Sequence, residues 1–313
     1  MKFALLFPGQ GSQFVGMGKA LCDEFPEAKA VFDAADDALG ERLSTLCFEG
    51  PEEALKLTAN TQPAILTVSL AAHAVFTRRF EAVPTFVAGH SLGEYSALVA
   101  ARAMGLADAV RAVRARGTFM QAAVAPGVGA MSAVLGLTPE KIKEICLDVA
   151  QGQVVAPANY NDPQQTVIAG HAAAVERATV KLKEAGAKTV VPLPVSAPFH
   201  CALMQPVVAR LGEVLSKLTF ATPQVPVVSN VEATANQDAA RIAELLLRQV
   251  TGSVRWVESV QLLEQQGVTK IVELGPGKVL CGLVRRISKG IECAGVEDPS
   301  SLAKALGTSE ATA

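Results

Sequence analysis

A serine bracketed by glycines, Gly89-His90-Ser91-Leu92-Gly93, separates the apolar run Thr85-Phe86-Val87-Ala88 from the helix-forming stretch Glu94-Tyr95-Ser96-Ala97-Leu98-Val99-Ala100-Ala101. A strand that passes into a helix through so short a turn brings two backbones close together, and small residues at both ends permit it. The pattern therefore commits this region to a strand, turn and helix on an α/β sheet, with Ser91 facing outward at the turn. The helix N-terminus would supply free N–H groups and a positive dipole end to a developing oxyanion. The motif alone is weak, and a serine that merely caps the helix is the alternative.

The remaining organisation supports the α/β reading. Phe3 to Phe7 reads as a first strand, followed by the loop Pro8-Gly9-Gln10-Gly11-Ser12-Gln13, helical segments through Cys47, and a longer helix from about Pro63 to Phe80. This alternation suits a mostly parallel sheet with crossover helices. The loop is not a phosphate cradle, because its glycines depart from G-x-G-x-x-G and no P-loop lysine follows.

The rhythm changes near Pro126. Strand Ala130 to Gly136, helix Thr138 to Ala150, strands Val154 to Asn159 and Thr166 to Ala169, helix Ala172 to Ala185 and strand Lys188 to Val195 give the order βαββαβ, a ferredoxin-like unit. It reads as an insertion at 126–196 in a discontinuous core made of 1–125 and 197–313. The core resumes with strands at Val225 to Ser229 and Lys270 to Leu274, and the tail from Gly307 to Ala313 reads as disordered.

Composition excludes several classes. At 313 residues, 50% hydrophobic with a net charge of −2, the chain carries neither a nucleic-acid footprint nor a bilayer-spanning run, and its N-terminal apolar stretch is too short for a signal peptide. The six cysteines form no C-x-x-C pair, so reduced thiols and a cytoplasmic location are expected, with no metal and no cofactor. Arg285 and Arg286, with Lys289, form a small basic cluster that is either a solvated helix face or a docking surface for an acidic partner.

An activated serine needs a base, and four histidines are available. His73 lies inside the long helix and reads as a core or boundary residue. His171 opens a helix of the inserted unit, where capping or solvation explains it. His90 adjoins Ser91 and would point away from it at a sharp turn, so it suits a wall or scaffold. His200 remains, at the end of the Pro-containing loop Val195-Ser196-Ala197-Pro198-Phe199-His200 where the insertion rejoins the core. No acidic residue marks itself as its orienter, and a backbone or amide carbonyl could hold the imidazole instead, giving a Ser-His dyad.

Phe7-Pro8-Gly9-Gln10-Gly11-Ser12-Gln13, Gly89-His90-Ser91-Leu92-Gly93-Glu94-Tyr95 and Ala197-Pro198-Phe199-His200 together resemble the malonyl-CoA:acyl carrier protein transacylases. Further stretches continue the resemblance almost end to end: Thr61-Gln62-Pro63-Ala64, Arg116-Gly117-Thr118-Phe119-Met120-Gln121, Asn159-Tyr160-Asn161 and Glu273-Leu274-Gly275-Pro276-Gly277-Lys278-Val279-Leu280. The resemblance implies a hydrolase-like α/β core with an inserted ferredoxin-like subdomain. It also implies transfer of malonyl from malonyl-CoA to the phosphopantetheine thiol of an acyl carrier protein, supplying fatty acid biosynthesis.

On that resemblance Ser91 is the nucleophile, His200 the base, the amides of Gln10 and Leu92 the oxyanion hole, and the main-chain carbonyl of Gln249 the orienter of the histidine. Arg116 would bind the malonyl carboxylate with two parallel hydrogen bonds, although read alone it could equally be a solvated arginine beside Arg111 and Arg114. Met120, Asn159 and Val279 match pocket positions, and Phe199 suits a pocket with little room for an α-methyl group. Two rivals are an acyltransferase serving a polyketide carrier and a serine hydrolase such as a thioesterase. The hydrolase would place an acid between Ser91 and His200 in chain order and would not need Arg116.

Overall fold

The computed structural model describes residues 2–195 and 197–307. Its larger sheet contains strands β1 (Phe3–Phe7), β2 (Phe86–Gly89), β7 (Val227–Val228), β8 (Ala235–Asn236), β9 (Lys270–Leu274) and β10 (Glu292–Val296). A smaller sheet contains β3 (Gly129–Leu135), β4 (Val155–Asp162), β5 (Gln165–His171) and β6 (Thr189–Pro192).

The larger sheet runs β10-β9-β1-β2-β7-β8, parallel except for β8. β1 occupies its middle, and its alternate residues enter different cores: Phe3, Leu5 and Phe7 pack into one, Ala4 and Leu6 into the other. A strand buried on both faces needs a continuous apolar run, which Phe-Ala-Leu-Leu-Phe supplies. The smaller sheet is antiparallel, ordered β4-β5-β3-β6, and packs helices Pro139–Val149 and Ala172–Glu184 on one face around a third core. The βαββαβ order is present.

Several boundaries differ from the sequence reading. The long helix spans Thr58–Arg79, so Pro63 lies inside it rather than at its start. Fifteen of its residues are buried, and burial on nearly every side outweighs the hydrogen bond that Pro63 forgoes. β6 stops at Pro192 instead of Val195, since Pro192 and Pro194 cannot donate to a ladder. Strand β10 was not anticipated. Of the expected disordered tail, 308–313 lie outside the described residues, as does Ser196.

The expectation that all cysteines are free is corrected. Cys281 and Cys293 form a disulfide with Cα atoms 5.4 Å apart, while Cys22, Cys47, Cys146 and Cys201 are free. Helix Val279–Ile287 leads from β9 back to β10, so a residue on its inner face meets a residue of the edge strand. Spacing along the chain carries no sign of that meeting. Among the described residues no helix is long and apolar enough to cross a membrane.

Candidate active site

The turn after β2 is held from three sides. Gly89 and Gly93 are in such contact that a Cβ on Gly89 would lie 1.9 Å from the Gly93 carbonyl carbon, and one on Gly93 would lie 2.2 Å from the Phe7 oxygen. The His90 N–H donates to that same Phe7 oxygen at 3.0 Å, tying the turn to the end of β1. Ser91 adopts φ +54°, a left-handed conformation that costs a non-glycine residue free energy. Asn230 supports it: Oδ1 accepts the Ser91 N–H at 2.7 Å, and Nδ2 donates to the Gly89 carbonyl at 2.7 Å. Nothing in the sequence reading singled out Asn230.

With the Ser91 amide so engaged, the next N–H along is free for other work. Neither the Leu92 nor the Gln10 main-chain N–H has a hydrogen-bond partner among the described residues. Gly9 brings the first loop against His90, where a Cβ would meet the His90 oxygen at 2.6 Å. Beside them lies a cavity of about 140 Å³ lined by Gln10, His90, Asn161, Val279, Leu280 and Leu283. Val279 is half exposed at its rim.

His200 Nε2 lies 2.7 Å from Ser91 Oγ, and His200 Nδ1 lies 2.8 Å from the main-chain oxygen of Gln249. Gln249 belongs to the last turn of helix Ala239–Thr251, where carbonyls lack intrahelical partners, so its oxygen is available to accept from the imidazole. That bond fixes the proton on Nδ1 and leaves Nε2 as the acceptor facing the serine hydroxyl. Like Ser91, His200 has a left-handed backbone, φ +57°. Burial, followed by the positive charge of Arg116, pushes the His200 pKa down to about 3, against the raising effect of the Gln249 bond. The imidazole is therefore a neutral base.

Arg116 settles the choice between surface and site. Helix Leu106–Gln121 buries Ala109, Val110, Ala112, Val113, Arg116, Gly117 and Met120, one inward stripe, whereas Arg111 and Arg114 lie outside it and pair with Asp108 and Glu41. Arg116 is only 1% exposed. Its Nη2 donates to Ser91 Oγ at 3.1 Å and to Gln249 Oε1 at 2.8 Å, and Nη1 donates to Gln62 Oε1 at 2.9 Å. Its Nε has no partner among the described residues. The guanidinium is thus held by two neutral amides and a hydroxyl, with no carboxylate hydrogen-bonded to it among the described residues.

Met120 is buried with its sulfur 3.7 Å from Gln62 Nε2, Asn159 is buried on β4 beside Val254, and Phe199 is buried with its N–H on Met131. His90 is a scaffold residue, its Nε2 2.9 Å from Asn161 Oδ1, and His73 is a half-buried boundary residue against Phe7. His171 does not cap its helix; its Nδ1 accepts the Val154 N–H at 2.9 Å. Arg286 forms an ion pair with the buried Asp162 at 2.6 Å, and Arg285 donates to the Cys293 carbonyl. Among the described residues no group of acidic, histidine and cysteine side chains could hold a metal ion.

Sequence reasoning missed Gln62, Glu94 and Asn230. Glu94 is a buried carboxylate whose pKa burial raises to about 7, against hydrogen bonds from Gln249 and Asn230 and the charge of Arg116. It bonds to Gln249 Nε2 and not to His200, so the acid that a hydrolase triad would place on the histidine is absent from the described residues around it.

A serine aligned with a neutral imidazole, unpartnered amides beside it and a buried cation within reach define an acyl-transfer site on a parallel α/β core. The comparisons agree. The acyl transferase domain family matches residues 4–304. The malonyl CoA-acyl carrier protein transacylase of Salmonella typhimurium is 48% identical over 305 residues, 97% of this chain and 99% of that protein. The acyl carrier protein S-malonyltransferase of Vibrio cholerae superposes with a TM-score of 0.95 at 48% identity, covering 97% of this chain and 100% of that one. The malonyl-transacylase PlMCAT, solved with the type II PKS acyl-carrier protein AntF, superposes with a TM-score of 0.96 at 47% identity, covering 98% and 99%. The chain belongs to the acyl transferase domain family, in the group of the malonyl CoA-acyl carrier protein transacylases.

Proposed function

We propose that the protein transfers malonyl from malonyl-CoA to the phosphopantetheine thiol of an acyl carrier protein through a malonyl ester on Ser91. The observation that carries this reading is Ser91 Oγ set between His200 Nε2 at 2.7 Å and Arg116 Nη2 at 3.1 Å. His200 takes the serine proton as Oγ attacks the thioester carbonyl, and the Gln10 and Leu92 N–H groups receive the oxyanion. The carbon–sulfur bond then breaks, and the coenzyme A sulfur leaves with the proton from His200. The second half runs in reverse: His200 takes the carrier thiol proton, the thiolate attacks the ester, and Ser91 recovers its proton.

Arg116 receives the free carboxylate. Its Nε–H has no partner among the described residues and shares an edge with Nη2. Once Ser91 Oγ becomes an ester oxygen, a weaker acceptor, the Nη2 hydrogen now on it turns to the carboxylate and completes two parallel donors, while Gln249 keeps the other Nη2 hydrogen. Met120, Asn159, Phe199 and Val279 line the acyl and pantetheine path. Gln249 orients His200 through its carbonyl. The phosphopantetheine arrives on the carrier, so the protein needs no cofactor of its own. Arg285 and Arg286 form a docking surface for the acidic carrier, which supplies fatty acid biosynthesis, with a polyketide carrier as the other outcome to test. Substrates of this kind place the protein in the cytoplasm. We read the chain as a catalytic unit of 1–125 with 197–313 and an inserted unit of 126–196.

Intact-mass measurement after brief mixing with malonyl-CoA should show one malonyl adduct, lost when a carrier protein is added. An adduct that persists at full yield in Ser91→Ala would rule out the assigned nucleophile. Rapid loss of the adduct to water, without a carrier, would favour the hydrolase.

A further inference from the structure

We infer that Glu94 is a positioning residue for acyl selectivity: its buried carboxylate fixes the Gln249 side-chain amide so that the amide oxygen faces Arg116. The inference rests on the acyl-transfer reading above. Glu94 is the second residue of helix Gly93–Ala100 and is 3% exposed. Its Oε2 accepts from Gln249 Nε2 at 2.7 Å and from the Asn230 N–H at 3.1 Å. Gln249 Nε2 also donates to the Ser91 carbonyl at 3.0 Å, so both amide hydrogens point at oxygens.

The two ends of a glutamine amide are alike in shape and opposite in hydrogen bonding. Turned over, Gln249 would set an oxygen against the Glu94 carboxylate and the Ser91 carbonyl, and an NH₂ against the Arg116 guanidinium. An oxygen at this position, held as an acceptor by the Asn230 N–H whether or not the carboxyl is protonated, opposes that state together with the Ser91 carbonyl. It therefore keeps Gln249 Oε1 as the acceptor 2.8 Å from Arg116 Nη2, while Gln62 holds Nη1 from the other side. Together they aim the guanidinium. His200, by contrast, is held by the main-chain oxygen of Gln249, which the helix fixes whatever the side chain does. Loss of the Glu94 contact should thus weigh most on acyl groups that carry a carboxylate, whereas any disturbance passed through the Asn230 N–H to the Ser91 turn should slow both acyl groups alike and leave their ratio unchanged.

The test compares acyl-enzyme formation from malonyl-CoA and acetyl-CoA in Glu94→Gln, Glu94→Asp and Glu94→Ala, with thermal melting as a check on folding. Glu94→Gln keeps an oxygen able to accept both N–H groups, so the malonyl-to-acetyl ratio of kcat/KM should stay within about threefold of wild type. Glu94→Asp keeps the charge but withdraws the oxygen by one methylene, and the ratio should fall by roughly tenfold or more, chiefly through malonyl-CoA. Glu94→Ala should fall at least as far, and if it does not fold the other two variants decide.

An unchanged ratio in Glu94→Asp, or a ratio in Glu94→Gln as low as that of Glu94→Asp, overturns the inference. A wild-type protein that forms no malonyl adduct overturns the acyl-transfer reading and this inference with it. Normal wild-type acylation with an unaltered Glu94→Asp ratio overturns the inference alone.

Discussion

Asn230→Ala should damage the nucleophile turn more than any other single truncation outside the reacting groups. Asn230 is 1% exposed, and its side chain closes two bonds of 2.7 Å, one to the Ser91 N–H and one to the Gly89 carbonyl. Its removal leaves a donor and an acceptor buried without partners, at about 1–3 kcal/mol each. The left-handed Ser91 backbone, strained by about 1–3 kcal/mol, loses its clamp, and its relaxation recovers part of that cost. A destabilisation of about 2–5 kcal/mol follows, which should lower the thermal midpoint by roughly 5 °C or more. Relaxation of Ser91 would also swing Oγ away from His200, so acylation by malonyl-CoA should slow by about a hundredfold.

Asn230→Asp sharpens the test. It preserves an acceptor for the Ser91 N–H but sets a second oxygen against the Gly89 carbonyl. Only a protonated carboxyl restores the donor, so folding should raise the pKa of this group above its unfolded value. Its stability relative to wild type should therefore be greatest below the ordinary aspartate range and be lost as pH rises through the raised value. Scanning calorimetry across pH, with stopped-flow acylation, measures both effects. An Asn230→Ala protein that melts within about 1 °C of wild type and acylates at the wild-type rate refutes the reasoning.

Arg116→Ala should cut kcat/KM for malonyl-CoA by about a hundredfold to a thousandfold, two charge-assisted bonds being lost, with a smaller loss or a gain for acetyl-CoA; equal losses would remove it from selectivity. Because His200 sits near 3 in the folded protein against 6.5 ordinarily, its base form persists into mild acid, and acylation should show no His200 limb between about pH 7 and 5. By linkage, the stability that the neutral imidazole contributes is present above 6.5 and lost as pH falls toward 3. In Arg116→Ala the depressing charge is gone, so the acid limb of acetyl transfer should move to higher pH. Arg285→Glu, which leaves the Arg286–Asp162 pair in place, should raise the KM for the carrier protein, more at low salt than at high, by a larger factor than the KM for malonyl-CoA.

The sequence reading reached furthest where chemistry and local pattern coincide. The strand limits of β1 and β9 match its residues, and the strand and helix flanking Ser91 are each displaced by one residue, to Phe86–Gly89 and Gly93–Ala100. Elimination among histidines led to His200, which the fold brings to Ser91 from 109 positions away. Asn230 is not marked in the sequence, and Gln62 and Glu94 stand in stretches of the resemblance with no role attached, because their residue types suit many surroundings and only tertiary placement makes them partners of one guanidinium and one strained turn. Arg116 could not be told from Arg111 and Arg114 by composition, yet its helical stripe was already written in the alternation of Ala109, Val113, Arg116 and Met120. The Cys281–Cys293 bond escaped for a different reason: the edge strand that carries Cys293 was not recognised.

Gln249 serves the site through two independent parts of itself, the peptide oxygen toward His200 and the side-chain amide toward Arg116. Every amino acid carries that peptide oxygen. A lineage could therefore change residue 249, and with it which acid the arginine is prepared to meet, while the proton relay stayed as it was. On the proposed reading, substrate choice and chemical competence would be inherited on separate atoms of one residue, so the first could drift without passing through an inactive intermediate.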